Sequence, residues 1–467
     1  MNQNLKLAAA IAAVLSSSAG LAQNAISPAS AAAPHTAYYI AGSSAAKNAI
    51  IDVVESSVCG SVYSVFSSTP DPNFFAVSCA APANSLLPNA NGTNIFTIWY
   101  RAEGGSVTGA LPVITGVSLN QLNLNSSATV ANPSGGFTVT IGGNATGNGL
   151  DDSFSNVNEA PVMLGITDVE PGQLIHDNYP SAYSTTVYGK ATSAQLQGLK
   201  HTAIFDQVFG IFINPTAAGF STAEKASIGQ AAPAASLSLS TQQIGDLLQG
   251  KTTDWSKAVD INGNPVASTS SPVTIINRET GSGSRTATEI FFTSFPCTTL
   301  SSVAPIQEQV GLVPGATDYF STSDVLTAAN GTPGSITYAT IDQAGGSFPN
   351  LTLVAINGVA PSNLNAASGA YGDWFEADFI SPATAVANAE TGDQKGLQTV
   401  LTTAFQKIQG NGFGQADLLG NPNVDTAFPA AIPATSTANV PAVSSKTIYT
   451  NPFTRGGASC QVPFLDL

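Results

Sequence analysis

Arg278-Glu279-Thr280-Gly281-Ser282-Gly283-Ser284-Arg285 is the stretch on which the reading of this chain turns. It follows Val273-Thr274-Ile275-Ile276, a β-branched run that reads as a strand, and precedes a segment of helical periodicity from about Arg285 to Phe295. Gly281 and Gly283 let the backbone approach a ligand with no Cβ in the way. Ser282 and Ser284 place hydroxyls beside peptide N–H groups at the positive end of the incoming helix. Such a junction cradles tetrahedral anions, and Arg278 adds a two-pronged charge-assisted contact. Taken alone, the segment equally fits an ordinary Gly/Ser turn beside a surface arginine.

Working outward, two more strands end in the same way. Ile40-Ala41-Gly42 runs into Ser43-Ser44, and Gly165-Ile166 into Thr167-Asp168. Thr93–Tyr100, ending in Gly104-Gly105-Ser106, is a candidate fourth. A buried strand is expected at Val208–Ile213 and further strands at Ser335–Ala339 and Thr352–Ile356, with helices after the Ser240 capping box and over Gln398–Ile408. Strands alternating with helices make the fold class α/β. In open α/β sheets ligands sit beyond the carboxyl ends of strands, so these hydroxyl-bearing ends are expected to converge on one crevice.

The amino terminus bears on compartment. Lys6, the apolar run Leu7–Leu15 and the small-x-small pattern Gly20-Leu21-Ala22 read as a cleaved secretory signal over residues 1–22. The expected destination is the periplasm or the outside of the cell. Residues 23–36 read as a flexible Ala/Ser/Pro-rich leader, and the tail from Gly410 as a surface wrap. No later stretch has the roughly 20 apolar residues of a membrane span, so the mature protein is not expected to be membrane-embedded. Charged residues are only 9% of the chain and the formal net charge is −15, which disfavours nucleic acid as a partner. From Gly104 to Leu150 there is no charged residue, and the apolar alternation of that stretch suggests a β-rich insertion over about 104–160.

Cys59, Cys79, Cys297 and Cys460 in an exported chain suggest disulfides, with three possible pairings. A local Cys59–Cys79 loop and a long-range Cys297–Cys460 clasp are the favoured set. Metal binding is disfavoured, because no Cys-x-x-Cys occurs and none of His35, His176 and His201 lies near a cysteine in sequence. No cofactor is called for.

Matches in consistent order across residues 38–410 resemble the phosphate-binding periplasmic proteins that serve ABC importers, of the type 2 periplasmic-binding fold. Arg278-x-x-Gly281-Ser282-Gly283-Ser284 looks like that family's anion loop, and Gly165-Ile166-Thr167-Asp168 like its Gly-x-Ser-Asp segment. Phe209–Asn214 resembles its crossing strand, Ile244–Lys251 with Trp255 its helix and Trp, and Gly334-Ser335-Ile336-Thr337-Tyr338 its late strand. The resemblance implies two lobes joined by two hinge-crossing strands, lobe one over 37–208 plus 376–467 and lobe two over 209–375. It implies phosphate or a similar oxyanion as ligand, and an ABC permease as a partner. It also implies that Ser44, Asp168, Arg278, Ser282, Gly283 and Ser284 contact the anion; Ser43, Gly105 and Ser106 join them from their places at strand ends. A carboxylate at Asp168 would accept the proton of hydrogen phosphate and repel sulfate, which has none. The alternative for Asp168 is a helix cap ahead of Pro171.

Some positions depart from the family pattern. Thr280 stands where the family carries an acid two residues after the arginine, with Glu279 displaced by one. Ser284 replaces a threonine, and the first loop reads Ser43-Ser44-Ala45-Ala46 in place of Thr-Phe-Pro. Glu103 would repel an anion if it faced inward.

Gly245–Thr252 fits the nucleotide P-loop pattern by letter, but Ile244, Leu247 and Leu248 already have helical spacing before Gly250. No Gly-x-Ser-x-Gly or His-Glu-x-x-His motif occurs, so an enzyme is not expected. Two other classes of function stay open: a secreted structural or adhesive protein, motivated by the uncharged segment, and an esterase- or phosphatase-like hydrolase.

Overall fold

The computed structural model describes residues 25–59, 62–80, 89–132, 135–142, 154–174, 191–230, 236–294, 317–341 and 348–381, with residues 297, 396, 399, 401, 417–419, 449–451, 453–455 and 458–465. The expected signal segment and most of the helix expected over Gln398–Ile408 lie outside the described residues.

Lys200–Ile213 is a 14-residue strand whose last ten residues are buried. Its first part pairs antiparallel with Trp374–Ser381, from Lys200 opposite Ser381 to Val208 opposite Trp374. From Phe209 onward it leaves that partner and is flanked instead by Ser335–Thr340 and Thr352–Ile356. One continuous strand thus passes from one sheet region into the next. It joins the two, and it begins eight residues before the buried strand expected at Val208–Ile213.

Beyond Trp374–Ser381 the sheet continues through Leu164–Thr167, Thr36–Gly42, Ile95–Arg101, Phe74–Ala80 and Tyr63–Thr69. Beyond Ser335–Thr340 it continues through Thr274–Arg278 and Thr317–Tyr319. Thr36–Gly42 is parallel to both Ile95–Arg101 and Leu164–Thr167, and Thr274–Arg278 is parallel to both its neighbours. Parallel neighbours finish at one edge. That geometry places Gly42, Arg101 and Thr167 together on one side, and Arg278 beside Tyr319 on the other.

Separate apolar cores hold the two regions. One draws on Val208 to Trp374, around Trp255, Leu247, Leu248, Ile336 and Tyr338; another gathers Tyr38, Ile40, Phe96, Ile98 and Ile166. Each fully buried Leu or Ile contributes about 1.5–3 kcal/mol relative to exposure. Trp255 is wholly buried, and its Nε1 donates to the Gly334 carbonyl at 2.8 Å.

Two expectations are corrected. The expected 104–160 insertion is β-rich only from Ser118, through Ser118–Leu122, Thr129–Ala131, Phe137–Thr140 and Val157–Pro161; it opens with a helix, Ser106–Thr115. Val107, Thr108, Val113 and Ile114 favour a strand by propensity, but tertiary burial overrides it: Ser106 to Val113 are all buried. The leader is ordered from residue 25. Ser27 caps a short helix, Pro28–Ala32, Ala31 is fully buried, and the Ile26 N–H donates to Ser64 Oγ at 2.8 Å.

The P-loop lookalike is a helix, Thr241–Leu248, that stops before Gly250. The disulfides are Cys59–Cys79 and Cys297–Cys460. Among the described residues no helix is long and apolar enough to cross a membrane, and no cluster of metal-binding side chains occurs.

Candidate anion-binding site

Ser282 caps the helix Gly283–Thr293 through its side chain, as the composition of the loop anticipates. Ser282, Ser284 and Arg278 are almost wholly buried. The Arg278 guanidinium therefore does not face bulk water. Nε donates to the Tyr319 carbonyl at 3.2 Å and Nη2 to the Phe320 carbonyl at 2.8 Å. Nη1 reaches Ser44 Oγ at 3.4 Å and Thr322 Oγ1 at 3.3 Å, and these two hydroxyls lie 3.0 Å apart. The backbone carbonyl of Arg278 accepts from Arg285 Nη1 at 3.0 Å, which fixes the strand end against the helix.

Across from this arginine, Asp168 is 2% exposed. Its Oδ1 accepts from Ser43 Oγ and, at 2.9 Å, from Gln207 Nε2. Oδ2 accepts from Ser106 Oγ at 3.3 Å and Ser284 Oγ at 3.4 Å. The following turn, Pro171–Gln173, has Glu170 at its cap position, so Asp168 is not a helix cap. Burial raises the Asp168 pKa, and hydrogen bonds from Ser43 and Gln207, the Arg278 charge and Ser106 offset only part of that rise.

The predicted residues thus meet in one place. Ser43, Ser106, Asp168 and Ser284 are in direct contact, Ser44 touches Arg278, and a Cβ on Gly105 would sit 3.2 Å from Arg278 Nη2 and 3.1 Å from Ser282 Cα. A Cβ on Gly283 would collide with Ser106 Oγ and approach Asp168 Cβ to 2.7 Å. Only glycine at 283 allows this approach of the two halves.

Glu103 does not act on the crevice as a bare charge, because its Oε2 lies 3.2 Å from Arg101 Nη2. Glu279, one residue from Arg278, brings Oε1 to 3.3 Å from Arg278 Nη2. The displaced acid still reaches the guanidinium.

Sequence reasoning missed two contributors. Gln207 lies on the strand Lys200–Ile213, one residue before its apolar stretch. Thr322 opens the helix Thr322–Gly331, capped by Ser321; the signal was the same strand-hydroxyl-helix order found at the other junctions, after the short strand Thr317–Tyr319.

Chemically, this is a buried cluster of hydroxyls around the Arg278 guanidinium and the Asp168 carboxylate, with the Glu279 carboxylate beside the arginine. It suits an oxyanion that also carries a proton.

No family model matches the sequence, and no curated protein matches it. Solved structures do align with it. A substrate-binding protein from Clostridium perfringens with bound phosphate is 12% identical, with 78% of this chain and 93% of that chain covered and a TM-score of 0.41. An ABC-type phosphate transport receptor from Vibrio cholerae is 13% identical, covering 78% and 93%, at 0.39. A phosphate binding protein from Stenotrophomonas maltophilia is 13% identical, covering 79% and 84%, at 0.39. Superpositions this loose decide neither fold nor ligand; the α/β architecture rests on the strand order and register described above.

Proposed function

We propose that this chain is an exported solute-binding protein, a divergent and extended relative of the phosphate-binding proteins of ABC importers, that captures inorganic phosphate between its lobes. The observation that carries the reading is the meeting of Asp168, Arg278 and serines from three distant chain segments in one buried cluster. In this reading lobe one comprises residues 37–208 and 376–467 and lobe two 209–375. The lobes part and close by bending at the two strands that cross between them.

Hydrogen phosphate enters where Ser44, Thr322 and Arg278 now bond to one another, and replaces those contacts with its own oxygens. Its P–OH donates to Asp168. Sulfate lacks that proton and meets the negative charge of the carboxylate with no hydrogen bond to offer it. An importer permease would receive the cargo, or the protein scavenges phosphate outside the cell.

Calorimetry with phosphate and sulfate tests this. Arg278→Ala should weaken phosphate binding by about 100-fold or more, the loss of a buried charge-assisted pair. Asp168→Asn should narrow the gap between the two anions. Unchanged binding in both variants would end the proposal.

A further inference from the structure

We propose that the Glu279 carboxylate competes with the bound anion for Arg278, so that capture at this site is accompanied by uptake of a proton at Glu279. This rests on the phosphate-binding reading above and adds a linkage to it.

The geometry singles out this acid. Glu279 is 6% exposed, Oε1 lies 3.3 Å from Arg278 Nη2, and Oε2 is buried with no hydrogen-bond partner among the described residues. Its neighbours are better compensated. Asp168 receives four side-chain donors. Glu103 has Arg101, and Asp324 accepts from Ser321 Oγ at 2.7 Å. Among the described residues Arg278 is the one cation paired with Glu279, and Arg278 is also the residue the anion needs.

The charges facing Glu279 come from every side: Arg278 on its own strand end, Glu103 before the helix Ser106–Thr115, and Asp324 on the helix Thr322–Gly331. Burial pushes the Glu279 pKa up to about 8, against the pull of Arg278 and with the push of Glu103 and Asp324. An arriving anion adds another negative charge beside a half-compensated carboxylate. Protonating Glu279 removes that repulsion and frees Nη2 for the ligand.

The test is calorimetry of the full chain with inorganic phosphate at about pH 8.5, in Tris and in bicine, whose different ionisation enthalpies report protons exchanged on binding. Phosphate is then almost wholly the dianion, so its own titration contributes little. The wild type should take up roughly half a proton or more per anion beyond Glu279→Gln. Between about pH 8 and 9.5 its affinity should fall up to tenfold per pH unit more steeply than the variant's. Equal buffer dependence in the two proteins overturns this inference and leaves phosphate capture standing. Absence of phosphate binding by the wild type overturns both. Should the variant fold poorly, infrared difference spectra of the wild type decide. A protonated-carboxyl band that grows on adding phosphate at this pH supports the linkage, and its absence refutes it.

Discussion

Ser106 Oγ accepts the backbone N–H of Asp168 at 2.9 Å and donates back to that residue's carboxylate at 3.3 Å. One hydroxyl thereby joins the first turn of a helix to the end of the strand Leu164–Thr167. Ser106→Ala leaves a buried amide and part of a buried carboxylate unpaired. A cost of about 1–3 kcal/mol is expected in urea denaturation, together with weaker phosphate binding.

Gly283→Ala separates binding from folding. The added methyl overlaps Ser106 and Asp168, which belong to the opposing half of the site, and a helix start tolerates alanine well. Phosphate affinity should drop at least about tenfold, since the halves can no longer meet. Far-UV circular dichroism should stay that of the wild type. Unimpaired binding would show that the approach at Gly283 is not needed for capture.

Asp373 lies just before Trp374, where Trp374–Ser381 parts from Lys200–Ile213; it is 1% exposed, and neither carboxylate oxygen has a partner among the described residues. Burial pushes its pKa up to about 7 despite the pull of Arg455. An unfolded aspartate titrates near 3.9, so between about pH 4 and 7 the folded state holds a proton that the unfolded state has released. Stability contributed by that proton falls as pH rises through this window. Asp373→Asn should therefore gain about 2–4 kcal/mol over the wild type at pH 8 and little at pH 4.5, in denaturation series across pH.

The Cys297–Cys460 bridge spans 163 residues of sequence. Five residues before Cys460, Arg455 donates to the carbonyls of Gly372 and Trp374 and stacks 4.4 Å from the Phe375 ring centroid. Replacing both cysteines by serine should cost about 2–5 kcal/mol and expose residues near Arg455 to proteolysis. Identical denaturation midpoints would show that the bridge constrains nothing.

What could be read from the sequence was local. A β-branched run, a Gly/Ser turn and a periodic segment announce a strand ending in a helix start, and this pattern located Ser43, Asp168 and Arg278 without coordinates. The parallel register that makes those ends coincide was beyond local reading. So was Gln207: an amide within a strand reads as solvent-facing until the pairing with Trp374–Ser381 shows it buried against Asp168. The helix Ser106–Thr115 was hidden for another reason. Its β-branched residues and Pro112 argue against a helix, and only surroundings that bury nearly the whole element outweigh them.

The strand Lys200–Ile213 is built into both sheet regions. Neither half can lose its structure without stripping hydrogen bonds from a segment the other half also owns. Heat or denaturant should then dismantle the molecule in one step, and the amides of this strand should be the slowest in the protein to trade their hydrogens for deuterium.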